Sequence, residues 1–114
     1  MNIEVKGRNV SVTDELREHV DRRFTKISRQ VSDLARLEIE LCHERNPSNP
    51  DAQIVDATLY LKGATLRARD ASVDFKRSVN MVSEELGRQV VRHREKRRRR
   101  RGGRAPSSDI QPAI

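Results

Sequence analysis

The sequence predicts an α+β fold in the order β-α-β-β-β-α, one sheet of about four strands with two helices packed on one face. Three observations predict it. Four short runs alternate apolar and polar residues, the period of a half-buried strand. Two longer segments repeat apolar residues every three or four positions, the period of an amphipathic helix. Glycine, proline and asparagine punctuate the joints between them. At 114 residues the chain has room for one modest core, and with two Phe and one Tyr that core is aliphatic.

Residues 2–6, NIEVK, put Ile3 and Val5 on one side and predict the first strand, which Gly7 is expected to end. Thr13 suits a helix N-cap. Asp14 and Glu15 fill the first turn, where the helix dipole favours acids. Leu16, Val20, Phe24, Ile27 and Val31 follow at spacings of four and three, predicting a helix from about Asp14 to Gln30. In RLEIELCH, residues 36–43, Leu37, Ile39 and Leu41 share one side, with Glu38, Glu40 and Cys42 on the other. NPSNPD, residues 46–51, reads as a loop. IVDATLYLK, residues 54–62, turns Val55, Ala57, Leu59 and Leu61 inward.

A tight turn at Lys62-Gly63 leads into ATLRARDAS, with Leu66 and Ala68 inward and Arg67 and Arg69 outward. The outer sheet face is therefore expected to pair acids with arginines across strands. From Asp74 the helical period returns through Phe75, Val79, Val82, Leu86 and Val90. Its polar pattern continues to about Arg97 or beyond, and Gly102-Gly103 stops any helix. APSSDIQPAI, residues 105–114, reads as flexible linker. The expected division is a folded domain over 1–96 and an arginine-rich run and tail over 97–114.

The net charge of +7 is unevenly spread. Residues 1–91 hold 15 Lys/Arg against 15 Asp/Glu, whereas residues 92–104 hold nine Lys/Arg and one Glu. A folded part of zero balance binds a polyanion only by sorting its charges onto faces. It does so on paper. Arg22, Lys26 and Arg29 lie opposite the apolar stripe of the first helix. Arg77, Arg88 and Arg92 lie away from that of the last, with Lys76 and Arg94 on its flank, and Glu84 and Glu95 dilute the face. Both helices cover one side of the sheet, so these residues predict one basic strip suited to phosphate. Nothing supplies base-edge readout or an aromatic stacking platform, so the expected target is structured nucleic acid recognised by shape and backbone. The run Arg97 to Arg101 supports the same target weakly, because polyarginine binds any polyanion.

Other chemistry is absent from the pattern. His19, His43 and His93 have no metal-ligand spacing and read as surface or boundary residues. Cys42 lies on the strand face opposite the core, with His43 pointing the other way, so no nucleophile–base pair is expected. A single cysteine excludes an intramolecular disulfide and fits a reducing cytoplasm. No apolar run is long enough to span a membrane, and MNIEVKGRNV lacks the core of a secretory signal. No enzyme activity, cofactor, metal or small-molecule substrate is expected.

Two blocks carry a family resemblance. IEVKGRNVSVTDELREHVDRRFTKI, residues 3–27, resembles the first strand and helix of the ribosome hibernation-promoting factors, also called ribosome-associated inhibitor, protein Y or S30AE. DATLYLKGATLRARDASVDFKRSVNMVSEELGRQVVRHREK, residues 56–96, is similar to the hairpin and second helix of their N-terminal domain. The specific elements are VTDELREHV, DATL, and Leu86 followed two residues later by RQ. The resemblance implies a fold related in shape to double-stranded-RNA-binding domains. It implies a cytoplasmic monomer bound to the small ribosomal subunit and its 16S rRNA, in the mRNA and tRNA channel at the decoding centre. Translation would be blocked there by occupancy, in competition with mRNA and tRNA, and idle ribosomes preserved under stress or in stationary phase.

Carried over by position, the resemblance implies rRNA contacts at Arg23, Lys26, Arg29, Arg88 and Arg92, although periodicity sets Arg23 nearer the apolar edge. With the strip and its extension, the expected contact set is Arg22, Arg23, Lys26, Arg29, Lys76, Arg77, Arg88, Arg92, Arg94, Lys96 and Arg97. Two positions depart from the family pattern: Lys76 stands where a tyrosine is expected and Glu85 where a lysine is. Lys76 keeps a phosphate-binding group but loses a stacking ring, and Glu85 reverses a charge. The arginine-rich end is expected to compensate with added backbone contacts. Long members carry a further ribosome-pairing domain after a flexible linker; the expectation is either a short form or the N-terminal piece of a long one, and the Pro/Ser composition of the tail, which resembles a severed linker, favours the second. Two other readings stand beside this one. One is a general double-stranded RNA or DNA module. The other is a protein-interaction domain whose arginine tail addresses it to a membrane surface or compartment.

Overall fold

The computed structural model describes the backbone of residues 1–45 and 48–102 and the side chains of residues 1–45 and 48–98. Its elements are β1 (Asn2–Arg8), α1 (Asp14–Ser28), β2 (Arg36–His43), β3 (Gln53–Leu61), β4 (Ala64–Ser72) and α2 (Phe75–Gly102). The expected β-α-β-β-β-α order is the observed one. The four strands form one sheet in sequence order. β1 runs parallel to β2, a pairing no hairpin can make, so the chain crosses over through α1. The pairs β2–β3 and β3–β4 are antiparallel.

Boundaries moved for local reasons. β1 runs two residues beyond the expected end. Gly7 lies inside the strand, and a Cβ there would collide with the Val10 carbonyl oxygen, so glycine permits the chain to fold back beside it. Asn9 then reverses direction at φ 61°, a left-handed conformation asparagine tolerates. Thr13 caps α1 as expected, its hydroxyl accepting from the Leu16 N–H at 3.1 Å. The helix stops at Ser28 rather than Gln30, where the Gln30 N–H bonds the Ile27 carbonyl at 2.9 Å and tightens the last turn. Gly63 takes φ 79° in the two-residue turn of the β3–β4 hairpin. Helix α2 continues without a break past Lys96 to Gly102, and residues 103–114, which include the expected linker at 105–114, lie outside the described residues.

One sheet face is the core. Leu37, Ile39, Leu41, Val55, Ala57, Leu59 and Ala68 are buried under Val20, Phe24 and Ile27 of α1 and Val79, Val82, Leu86 and Val90 of α2. Leu61 and Leu66, at the hairpin end, are half-buried against it. Each fully buried aliphatic or Phe side chain contributes about 1.5–3 kcal/mol. The entry to α2 is fixed by two buried serines that the apolar pattern does not mark. Ser72 and Ser78 share a hydrogen bond at 2.8 Å, and Ser78 also donates to the Gln53 carbonyl at 2.7 Å. Asp74 caps the helix, accepting from the Lys76 N–H at 3.2 Å.

The opposite sheet face carries the expected charge pairs. Asp56 receives Arg67 at 3.1 Å and Arg69 at 3.8 Å. Arg36 pairs with Glu38 and lies 4.3 Å from the centre of the Tyr60 ring, whose hydroxyl donates to Glu38 at 3.3 Å.

Candidate nucleic-acid interface

The apolar stripes of α1 and α2 both point into the core, so their flanks meet along a polar seam. Lys76 donates to Glu15 at 2.8 Å, the His19 ring bonds Asn80 at 2.8 Å, and Arg23 pairs with Glu84 at 3.6 Å. Arg94 closes the far end, donating to Gln30 at 3.1 Å. The rungs advance in the same direction on both helices, which therefore run parallel.

Between Arg23–Glu84 and Gln30–Arg94 the seam opens into a groove of about 770 Å³. Five of the eleven expected contact residues line it: Arg22, Arg23, Lys26, Arg88 and Arg92. Ile27, Gly87 and Val91 lie among them, and Val91 is 43% exposed. Arg22 and Lys26 form no ion pair among the described residues, whereas the three arginines share two glutamates. Glu85 accepts from Arg88 at 2.8 Å and Gln89 at 3.0 Å, with Arg92 at 3.9 Å. Those hydrogen bonds, from Arg88 and then Gln89, hold the Glu85 carboxyl below the usual glutamate range. Lys76 does the same to Glu15. Glu85 thus sits beside the groove as a fixed anion restraining two of its arginines.

The remaining expected contacts are distributed around the groove. Arg29 is the C-cap of α1, and Arg77 is exposed at the start of α2. Lys76 is committed to Glu15. Arg94 and Arg97 line a smaller pocket of about 120 Å³ with Lys62 and His93 at the hairpin end. Lys96 is exposed on the projecting end of α2, and the side chains of 99–104 lie outside the described residues. Arg23 is half-buried, at the apolar edge where periodicity sets it. Gly87 and Val91 were not anticipated. A glycine inside a helical pattern is itself a signal, since it costs about 1 kcal/mol relative to alanine.

Residues 3–98 match the family described as Sigma 54 modulation protein / S30EA ribosomal protein. The chain belongs to that family. Among its S30EA relatives, the ribosome hibernation promoting factor of Azotobacter vinelandii is 25% identical over 112 residues, 98% of this chain and 100% of the relative. The ribosome hibernation promotion factor of Picosynechococcus is 25% identical over 97 residues, 84% of this chain, and this chain spans 50% of that longer relative. The N-terminal domain of Thermus thermophilus Protein Y superposes with a TM-score of 0.70 at 21% identity, over 82% of this chain and 99% of that one. At that identity the likeness speaks to the S30EA fold alone. Among the described residues no helix is long and apolar enough to cross a membrane.

Proposed function

We propose that this S30EA protein is a cytoplasmic ribosome hibernation factor. In this reading its helical face binds 16S rRNA of the small ribosomal subunit in the mRNA and tRNA channel. It blocks translation by occupying the decoding centre and preserves idle ribosomes without chemistry. Family membership and the names of its relatives support the hibernation role. The observation that carries the binding face is the groove, where two parallel helices bring five cations together against two glutamates. Each cation that neutralises a phosphate releases condensed counterions, the main source of affinity for structured nucleic acid. Arg22, Lys26, Arg88 and Arg92 act as the central phosphate ligands. Arg23 sits deeper, and Arg29, Lys76, Arg77, Arg94, Lys96 and Arg97 extend the surface. Among the described residues no aromatic ring lines the groove, which favours recognition by backbone and shape.

Co-sedimentation with purified small subunits tests the reading. The full chain is expected to pellet with them and to be displaced by mRNA plus tRNA, but not by an equal charge of duplex RNA. Equal displacement by duplex RNA would instead establish a general duplex-binding module, the second reading that a backbone-directed surface permits.

A further inference from the structure

We propose that the groove beside Gly87 receives a single unstacked nucleotide of RNA, its base on the apolar floor and its phosphate on the cationic rim. This rests on reading the helical face as an RNA-binding surface and names what its centre takes.

The seam between the helices supplies the first argument. Its rungs at Glu15–Lys76, His19–Asn80 and Arg23–Glu84 each join residues 61 positions apart. One turn further, the same offset sets Lys26 against Gly87. There the rung is missing, because glycine has no side chain to answer the lysine. Glycine is also the least favourable non-proline residue for a helix interior. Nothing inside the protein requires it: a Cβ built on Gly87 meets no atom within 4 Å. The space it leaves is open to a ligand, not filled by a neighbour.

The groove's chemistry selects the ligand. Val91 gives it an apolar floor over the buried Ile27, Lys26 forms no ion pair among the described residues, and Arg88 stands on the rim. Arg23 keeps a buried Nε–H with no hydrogen-bond partner among the described residues, and its guanidinium reaches Glu84 only at 3.6 Å. The rest of that guanidinium is partly exposed and loosely held, so it can turn to an incoming phosphate. A nucleotide joins a flat, weakly polar ring to an anion one sugar away, matching floor and rim together. The volume of about 770 Å³ lies within the range of about 300–1,000 Å³ usual for small-ligand sites.

Two RNA hairpins of equal phosphate number, one fully paired and one with a single-nucleotide bulge, test this without ribosomes. The full chain is expected to bind the bulged hairpin about ten-fold more tightly, the gain from burying on the order of 50 Å² of apolar surface. Gly87→Gln fills the gap with a neutral side chain of better helix propensity, so the thermal midpoint rises while the bulge preference disappears. The salt dependence stays the same, since no phosphate contact is removed. Gly87→Ala, a smaller intrusion, gives a partial loss of preference. Equal binding of the two hairpins by the unaltered chain, or a preference that survives Gly87→Gln, would overturn the proposal. So would displacement of the bulged hairpin by polyglutamate more readily than by paired RNA of equal charge. If the bulge preference holds while small subunits are not bound, only the ribosomal reading falls.

Discussion

The two faces of the molecule use their cations differently. On the open sheet face Arg67 and Arg69 converge on Asp56 and Arg36 on Glu38, so these three arginines end at carboxylates, while Lys6 and Arg8 on edge strand β1 form no ion pair among the described residues. On the helical face Arg22 and Lys26 have no such partner among the described residues, and Arg23, Arg88 and Arg92 share Glu84 and Glu85. The difference lies in backbone geometry. Cross-strand neighbours on one sheet face sit close enough for pairs to form rung after rung. Two helices touch only along their seam: Arg22, rotated off it, has no opposite number, and Lys26 falls against Gly87, which has no side chain.

The largest expected effect breaks the platform under both faces. Phe24 is fully buried between α1 and the sheet, and Phe24→Ala is expected to cost about 3–5 kcal/mol. Total stability for a domain of this kind is about 5–15 kcal/mol. Chemical denaturation would measure the loss, and RNA binding should weaken with it because the helices lose their alignment.

A smaller effect sharpens the asymmetry. Glu85→Gln removes the anion beside Arg88 and Arg92, so affinity for structured RNA rises and the salt slope steepens by about one contact. Lowering the pH acts in the same direction. Glu85 and Glu15 titrate below their unfolded value of 4.5, so their contribution to stability is complete above that value. It is lost as pH falls through the lower folded values. A binding titration at pH 7 against one in the acid range would therefore show a larger difference for the unaltered chain than for Glu85→Gln.

The smallest effect lies on the sheet. Asp56→Asn frees two exposed arginines at a cost below about 1 kcal/mol, and RNA affinity should not change. A gain in affinity would mean that the sheet face also meets the ligand.

The fold was legible because each element states its own period. Val55, Ala57 and Leu59 alternate, and Val79, Val82, Leu86 and Val90 step by three and four, so facing and order follow from the chain itself. The ends were less legible. Gly7 reads as a breaker, yet it stays in β1 because its missing side chain makes room for Val10. The basic strip was half legible: periodicity predicts which cations leave the core but not which cations of α1 meet which of α2. That depends on the 61-residue offset of the seam, a tertiary quantity with no local pattern. Arg23 and Gly87 acquire their place in the groove only from it.

The central claim is that the helical face, not the sheet, carries the binding. Two variants that each remove three cations test it directly by co-sedimentation with small subunits across a salt series. One joins Arg22→Ala, Lys26→Ala and Arg88→Ala, and the other joins Arg36→Ala, Arg67→Ala and Arg69→Ala. The account predicts that the first loses affinity and about three units of salt slope, while the second binds like the unaltered chain. Equal losses in the two, or a greater loss from the sheet variant, would contradict it.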